Sequence, residues 1–453
     1  MMKLADIRQV YFIGIGGIGM SALARYFLSK GIAVSGYDKT TTVLTRELEA
    51  AGMEIVYEEK PETIPAMVDM VVYTPAIPAG NKILQHFKSK HQPLLKRSDV
   101  LQLISESSFN ICIAGTHGKT TISTMTAHIL RHSGYGCNAF LGGIAANYGT
   151  NFWSDERNVA VIEADEYDRS FLKLSPDIAV ISAMDADHLD IYGTAAEMEK
   201  AFIAFAAKVK PGGVLFAQSG LERGEELEAP RKFTYALQNK TADITASGLS
   251  AKEGAYHFSV VSGSWNLDNV TLNMGGLHNV ENSLVAIAIA HELGIEDNRI
   301  REAVSAFRGV KRRFEYKLKT DRFTYVDDYA HHPEELKALI NGARDMFKGK
   351  KCTVIFQPHL FSRTRDFVNG FAESLDLADE VILLPIYPAR EEPIPGVDSK
   401  MISALMKKNN RVLENKESVL QWIDENEPEL LITAGAGDID QLTEKITNTL
   451  RNK

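Results

Sequence analysis

The chain has 453 residues, 24% of them charged and 45% hydrophobic, and a formal net charge of −9 from 50 basic and 59 acidic residues. That length suits about three domains of ~150 residues rather than one core, and the acidic balance gives no chain-wide attraction to nucleic acid or to an anionic membrane. Three separated cysteines, Cys112, Cys137 and Cys352, support neither a disulfide framework nor a zinc knuckle. With a charged start and no apolar run near the ~20 residues that span a bilayer, the expectation is a cytoplasmic protein in a reducing compartment.

The first element is a strand-like run, Val10-Tyr11-Phe12-Ile13. It enters Gly14-Ile15-Gly16-Gly17-Ile18-Gly19 ahead of a helical segment from Met20 to Leu28, and Asp38 ends the next strand-like run. This is the setting of a GxGxxG turn, whose glycines let backbone N–H groups and a helix N-terminus approach a diphosphate. The turn specifies a nucleotide diphosphate without saying which: an NAD enzyme and a UDP-sugar binder would both use it, and a tight structural turn is the bland reading. A strand over Val68 to Tyr73 and a helix-like stretch from Asp99 to Ser105 follow, and a domain boundary is expected near Glu106-Ser107-Ser108.

Beyond it, Ile111 to Ala114 reads as a strand leading into Gly115-Thr116-His117-Gly118-Lys119-Thr120-Thr121, with a helix predicted from about Ile122 to Ser133. The Gly-Lys-Thr end supplies what ATP needs: backbone donors for phosphate oxygens, an ammonium for the β/γ phosphates and a hydroxyl for Mg²⁺. The general GxxxxGK[ST] pattern would have glycine where Ile113 stands, so this is a shortened variant. The strand Val159 to Ile162 runs into Glu163-Ala164-Asp165-Glu166-Tyr167-Asp168, and Ile178 to Ser182 runs into Asp185-Ala186-Asp187-His188-Leu189-Asp190. Carboxylates at the carboxyl edge of a parallel sheet, with an imidazole, suit one or two Mg²⁺ ions that neutralise a transferring phosphoryl group. Glu163, which ends its strand, is the best ligand candidate; Asp165, Glu166 and Asp168 read equally well as solvated loop acids, and His188 gains weight from its company.

From Gly220 to Gly276 the pattern changes to alternation, as in Tyr256-His257-Phe258-Ser259-Val260, which suggests an antiparallel insertion. After the amphipathic segment Arg299 to Phe307, a second boundary is expected near Gly309-Val310-Lys311. Strand-like runs then recur at Thr353 to Phe356, Val381 to Leu384 and Leu431 to Thr433. Buried strands alternating with helical segments from end to end argue for an α/β chain with mostly parallel sheets.

Taken together, the sequence resembles the Mur ligases of bacterial peptidoglycan synthesis over essentially its whole length. The resemblance rests on Gly14 to Met20 (GIGGIGM), Gly115 to Thr121 (GTHGKTT), Glu163 to Asp168 (EADEYD), Asp187 to Asp190 (DHLD), Gly276 to Asn282 (GLHNVEN), Arg312 to Glu315 (RRFE), Asp327 to Pro333 (DDYAHHP) and Phe356 to Arg365 (FQPHLFSRTR), in that order. It implies three domains: an N-terminal Rossmann-like domain (1–107) for the UDP part of the substrate, a central P-loop ATPase-type domain (108–310) and a C-terminal Rossmann-like domain (311–453) that closes over ATP and the amino acid. Within the family the branch that joins L-alanine to UDP-N-acetylmuramate is the best fit. That branch uses ATP and Mg²⁺, and no nucleic acid, membrane or obligatory protein partner is implied.

By the same resemblance, the UDP-sugar substrate falls to Gly14, Gly16, Gly17, Gly19, Asp38, Thr74 and Ala76, the last two in the loop Thr74-Pro75-Ala76-Ile77. ATP falls to the loop Gly115, Thr116, His117, Gly118, Lys119, Thr120 and Thr121, with Asn282 at adenine, His278 and Asn279 shaping its pocket, Arg313 at the phosphates and Asp328 at the ribose. Thr120 and Glu163 would hold one Mg²⁺, and His188 with Glu163 a second. Tyr329, His331, His359, Arg363 and Arg365 would recognise the alanine carboxylate and the reacting centre. Helix capping is the alternative for His278, Asn279 and Asn282, ahead of a helix over about Glu281 to Leu293, and a solvated helix start is the alternative for Arg363 and Arg365.

Some members carry a carbamylated lysine downstream of the aspartate-histidine motif, but here Ala201-Phe202-Ile203-Ala204-Phe205 stands between Lys200 and Lys208. The alanine-adding branch lacks that lysine. Leu360 stands where some alanine-adding ligases have arginine, and Tyr167 resembles the relatives that add a preformed tripeptide instead. A nicotinamide oxidoreductase and a nucleotide-driven switch are the readings from other classes.

Overall fold

The computed structural model describes residues 6–453 apart from 186–188, 390 and 414, and for Asp168, Leu189 and Asp190 it describes the backbone alone. The strands form three sheets, and helices alternate with them along the chain, so the architecture is α/β. By its internal packing the described chain divides into two compact units, one holding residues up to 246 with 260–266 and 281–303, the other holding 247–259, 267–280 and 304–453.

The first sheet is built from β1 (Gln9–Ile13), β2 (Ala33–Tyr37), β3 (Glu54–Val56), β4 (Met70–Tyr73) and β5 (Leu94–Lys96), in the order β3-β2-β1-β4-β5. All its pairings are parallel. Helices α1 (Ile18–Ser29), α2 (Val43–Ala50), α3 (Lys82–Ser89) and α4 (Arg97–Glu106) connect the strands. Both faces are covered, which is why β1 is apolar without alternation: Val10 and Phe12 pack towards Phe27, and Tyr11 and Ile13 towards Phe87. Each such fully buried large side chain stabilises the fold by roughly 1.5–3 kcal/mol. In α1, Met20, Leu23, Ala24 and Phe27 recur at helical spacing and are all buried. The helix begins at Ile18, two residues before the predicted start, because Gly17 in extended backbone serves as its N-cap.

The second sheet has the order β15-β14-β13-β12-β11-β10-β6-β9-β7-β8. Its strands are β6 (Phe109–Ala114), β7 (Asn138–Ala145), β8 (Thr150–Trp153), β9 (Val159–Glu163), β10 (Ile178–Ile181), β11 (Val214–Gln218), β12 (Lys232–Tyr235), β13 (Ile244–Lys252), β14 (Ala255–Ser262) and β15 (Asn266–Leu272). Helices α5 (Lys119–His132), α6 (Leu189–Tyr192), α7 (Ala195–Ala206), α8 (Leu277–Glu292) and α9 (Asp297–Ala306) accompany them. Its centre is parallel, with β6 between β10 and β9. Within the stretch expected to be antiparallel, β12 instead pairs parallel with β11 and with β13; only beyond it do Glu253 and Gly254, both at positive φ (53° and 71°), make the two-residue turn between the neighbours β13 and β14, a connection that antiparallel strands alone can share. An antiparallel pair at the other edge, Ala139↔Trp153 in β7 and β8, has no counterpart in the sequence reading. That pair carries Phe140 and Phe152 against Tyr26 of α1, and Asn151 donates to the Ile18 carbonyl at 2.5 Å and to Ser21 Oγ at 3.0 Å. The helix behind the first glycine loop is thereby seated on the second sheet.

The third sheet, in the other unit, comprises β16 (Glu315–Lys319), β17 (Thr324–Asp328), β18 (Cys352–Phe356), β19 (Glu380–Leu383), β20 (Asn409–Val412) and β21 (Leu430–Ala434), ordered β16-β17-β21-β18-β19-β20. It is parallel except for the edge pair β16·β17. Around it lie α10 (Pro333–Met346), α11 (Phe361–Asp366), α12 (Val368–Leu375), α13 (Lys400–Leu405), α14 (Lys416–Glu425) and α15 (Thr443–Arg451). No helix among the described residues is long and apolar enough to cross a membrane.

Candidate active site

The first glycine loop folds as its spacing predicts, and its contacts explain each glycine that matters. Gly14 has φ 89°, and a Cβ there would lie 3.0 Å from Thr74 Cγ2, so Thr74 packs directly on the loop. The two segments expected to share one ligand therefore sit side by side, with Ala76 exposed beyond Thr74. Asp38 Oδ2 accepts from the Gly16 N–H at 2.7 Å and its Oδ1 from the Thr40 N–H at 3.1 Å. It braces the loop.

In the second loop Gly118, at φ 81°, is the left-handed N-cap of α5, which starts at Lys119 instead of Ile122. Lys119, Thr120 and Thr121 thus form the first helical turn, with their backbone donors in the anion-binding position. A Cβ on Gly115 would lie 2.8 Å from the Ala183 nitrogen, and one on Gly118 would lie 2.9 Å from Asn282 Oδ1, so the loop is pressed between β10's exit and α8. Lys119 Nζ donates to the Gly115 carbonyl at 2.6 Å and to Glu166 Oε1 at 2.7 Å. Glu166 is buried, not the solvated acid that the motif equally allowed. Burial pushes its pKa up, and the Lys119 ammonium pulls against that rise. The exposed His117 and Asp185 approach to 3.6 Å at the loop's rim.

Glu163 leaves β9 into a set of donors. Thr120 Oγ1 donates to its Oε1 at 2.9 Å, while the Gly142 N–H and Ser123 Oγ donate to its Oε2 at 2.9 and 3.3 Å. A hydroxyl and a carboxylate held together beside a phosphate-type loop are the hard oxygen donors that Mg²⁺ takes, with phosphate and water completing its shell. The residues present fit such an ion. Among the described residues no group of three or more His, Cys, Asp or Glu side chains forms a cation cage. His188 lies outside the described residues, as does the side chain of Asp168.

One cation in this unit carried no recognisable signal. Arg97, at the first position of α4, donates to Asp165 Oδ2 at 3.2 Å and lies against Gly19, where a Cβ would sit 2.9 Å from its Cδ. With Ile18, Gly142, Glu163 and Asp165 it lines a cavity of about 220 Å³. Arg97 and Asp165 are 68 positions apart, so neither periodicity nor a motif could have paired them.

The other unit holds the candidate residues from Arg313 to Arg365, together with His278 and Asn279. Asp328 ends β17 and accepts from the Phe314 N–H at 2.6 Å and from the Ala330 N–H at 2.7 Å. Desolvation raises its pKa to about 6 despite those two bonds. Next to it the buried Asp327 is likewise raised to about 6 by burial, against the pull of Arg312 at 3.3 Å and a 2.6 Å bond from Thr433 Oγ1. Arg312 also donates to the Gly435 and Gly437 carbonyls and lies over the Tyr329 ring. Arg313 is exposed. Burial first, and the Arg313 charge second, hold the His278 imidazole below its ordinary pKa. Asn279 is buried, and its amide Nδ2 donates to the Gly275 carbonyl at 2.6 Å, so it braces its own turn. The helix that was to start near Glu281 begins at Leu277, which puts His278 and Asn279 in its first turn.

His331 and His359, 28 residues apart in sequence, come together edge to face with ring centres 6.0 Å apart. Arg363 Nη1 lies 3.5 Å from His359 Nδ1, and Tyr329 packs 5.4 Å from His331. Both imidazoles are held below their ordinary pKa, mainly by desolvation, and are neutral near pH 7. His331 Nδ1 faces two acceptors, the Tyr329 carbonyl at 3.0 Å and Glu335 at 3.3 Å. It therefore carries the ring proton and leaves Nε2 as a proton acceptor. Arg365 does not join this group: it is exposed and pairs with Asp366 at 2.8 Å, the solvated helix position. Leu360 holds φ 71° ahead of α11, and its N–H donates to the Tyr387 carbonyl at 3.0 Å.

Residues 9–108 match the Mur ligase family catalytic domain, 113–290 the Mur ligase middle domain and 312–437 the Mur ligase glutamate ligase domain. The chain is 46% identical to the UDP-N-acetylmuramate--L-alanine ligase of Phocaeicola vulgatus over 100% of both chains. It is 44% identical to the enzyme of that name from Porphyromonas gingivalis, over 96% of this chain and 97% of the relative. Among solved structures, UDP-N-acetylmuramate-alanine ligase from Thermotoga maritima matches with a TM-score of 0.84 at 28% identity, covering 98% of this chain and 99% of that one. A murein peptide ligase from Psychrobacter arcticus matches with a TM-score of 0.65 at 23% identity, over 98% and 99%, which bears on the fold alone. The chain belongs to the Mur ligase family.

Proposed function

We propose that this chain is an ATP-dependent ligase that joins L-alanine to the lactyl carboxylate of UDP-N-acetylmuramate, giving UDP-N-acetylmuramoyl-L-alanine, ADP and phosphate. The observation that carries this reading is the 46% identity, end to end, to a relative of that name. An amine cannot displace an oxygen from a carboxylate directly, so the carboxylate first attacks the γ-phosphate of ATP and releases ADP. The alanine nitrogen then attacks the acyl carbon of the resulting acyl phosphate, and phosphate leaves. Catalysis of both steps is mainly positioning and charge neutralisation.

In this reading the loop around Gly14 and Thr74 holds the UDP-sugar, and Lys119 with the first turn of α5 holds the β/γ phosphates. Thr120 and Glu163 hold Mg²⁺, which when bound offsets phosphate charge. Asn282 borders the loop at Gly118, which supports its assignment to the adenine end. Arg313 and Asp328 remain our assignments for ATP phosphate and ribose. Arg363 takes the alanine carboxylate, for which a planar guanidinium is suited. His331 Nε2 is the acceptor for the proton that the alanine ammonium must lose before attack. The boundaries assigned to the three domains, 1–107, 108–310 and 311–453, follow the same reading, as does action in the bacterial cytoplasm on small molecules.

The test is a mass-resolved ligation assay with ATP, Mg²⁺ and UDP-N-acetylmuramate, offering L-alanine in one tube and L-Ala-γ-D-Glu-diamino-acid tripeptide in another. Product with free L-alanine is expected. Product with tripeptide alone would move the chain to the tripeptide-adding branch towards which Tyr167 leans, and ATP binding without product would favour a nucleotide switch. For the amino-acid end, Arg363→Ala is expected to raise the KM for alanine by about 10- to 100-fold, the weight of a charge-assisted pair. A shift in the KM for ATP alone would contradict that assignment.

A further inference from the structure

The cavity of about 220 Å³ beside Arg97 is lined both by Ile18 and Gly19 of the first loop and by Gly142 and Glu163, so it touches the two ends of the proposed chemistry. Ala22, Leu101, Phe140 and Leu141 complete its wall with apolar surface. A ligand with an anionic group at the glycine loop and a reacting group near Glu163 would have to cross this space. The cavity's two carboxylates, Glu163 and Asp165, would repel such a ligand; Arg97 is the cation in its lining.

The side chain is oriented for that task. Asp165 takes one of the five guanidinium N–H groups at 3.2 Å, and Gly19 leaves the room in which the rest of the group lies, since a Cβ there would overlap Arg97. The Arg97 side chain is about a quarter exposed and lines the cavity, shielded enough for its charge to count. Asp165 is anchored in turn: its Oδ1 accepts from the Tyr167 N–H at 3.1 Å, so the acid holds the arginine's aim.

From this geometry we infer that Arg97 is a substrate-binding residue that recognises the diphosphate of the sugar nucleotide at Gly19, with Asp165 as its positioning partner. The inference rests on the reading of the first loop as the sugar-nucleotide site. A guanidinium at this point offers parallel donors to phosphate oxygens, which a lysine ammonium reproduces only as a point charge.

The experiment is calorimetric titration of wild type, Arg97→Ala, Arg97→Lys and Asp165→Asn with UDP-N-acetylmuramate and with UDP-N-acetylglucosamine, which keeps the diphosphate but lacks the lactyl carboxylate. Arg97→Ala is expected to weaken both ligands by about the same factor, on the order of 10- to 100-fold, with Arg97→Lys intermediate, Asp165→Asn milder and ATP affinity unchanged. Loss confined to UDP-N-acetylmuramate would overturn the diphosphate assignment in favour of the lactyl carboxylate. Unchanged affinity for both would remove Arg97 from the site. A change in ATP affinity as large as that for the sugar nucleotide would mean a structural role. Wild-type protein that binds neither sugar nucleotide would instead overturn the reading of the first loop, so the two failures are distinguishable. Far-ultraviolet circular dichroism and the thermal midpoint of each variant establish that it is folded, and Arg97→Lys provides the comparison should the alanine variant unfold.

Discussion

Lys119→Ala is expected to lower kcat by about 10²- to 10³-fold or more, the range seen when a donor to developing phosphate or oxyanion charge is removed, while leaving affinity for UDP-N-acetylmuramate largely intact. The division follows from where the groups lie. Lys119 Nζ is held at the second loop by the Gly115 carbonyl and Glu166, whereas Gly14 and Gly16 belong to a separate loop that Asp38 braces and Thr74 packs against. The substitution has a stability cost as well, because it strips a buried carboxylate of its counter-ion, and breaking a buried pair costs about 3–5 kcal/mol. Glu166→Gln in the same chain removes the orphaned charge, so the double variant separates lost catalysis from lost fold. Product mass, ADP release and a calorimetric titration with the sugar nucleotide are the readouts. An equal loss of sugar-nucleotide affinity in the folded double variant would show that the two loops do not divide the work in this way.

Gly142→Ala is the second large effect, and it is less obvious because Gly142 belongs to no motif. A Cβ there would sit 2.5 Å from Glu163 Cδ, inside any allowed contact, so the carboxylate must move. The backbone at Gly142 lies in β7 and is not among the positive-φ glycines, so alanine itself fits the strand. The cost therefore falls on the position of Glu163 rather than on folding. Displacing a positioned group by about 1 Å can cost about 10²-fold in rate, and if Glu163 and Thr120 hold Mg²⁺ the variant will also need more Mg²⁺ for half-maximal activity. Activity measured against Mg²⁺ concentration, alongside the thermal midpoint, checks both. Wild-type rate and wild-type Mg²⁺ dependence would mean that Glu163 tolerates displacement, and with it that the Thr120–Glu163 pair is not the metal site.

What could be read from the chain was local. A glycine-rich turn between a strand and a helix has its consequences within a dozen residues, so both loops were found where their spacing put them. Gly118 at φ 81° and Gly14 at φ 89° are the conformations for which glycine was needed. Even so, the helix starts moved: α5 begins three residues early because capping geometry at Gly118, not the polar character of Lys119-Thr120-Thr121, sets where helical dihedrals start. Periodicity also could not separate Arg363 from Arg365. They sit two positions apart on the short helix α11, which points one towards His359 and the other to solvent.

The sequence alone was enough for the α/β class, the two phosphate-type loops and the strand-ending carboxylate Glu163, because glycine conformation, apolar periodicity and motif order are all properties of neighbouring residues. Folding supplied the pairings between distant ones: Lys119 with Glu166, Glu163 with Gly142, Arg97 with Asp165 and His331 with His359. It also gave Asp38 and Asn279 bonds that brace their own turns. Whether an acid is solvated, buried beside a cation or bound to a backbone N–H depends on which strands and helices enclose it, and packing across the sheets settles that, not the residues on either side.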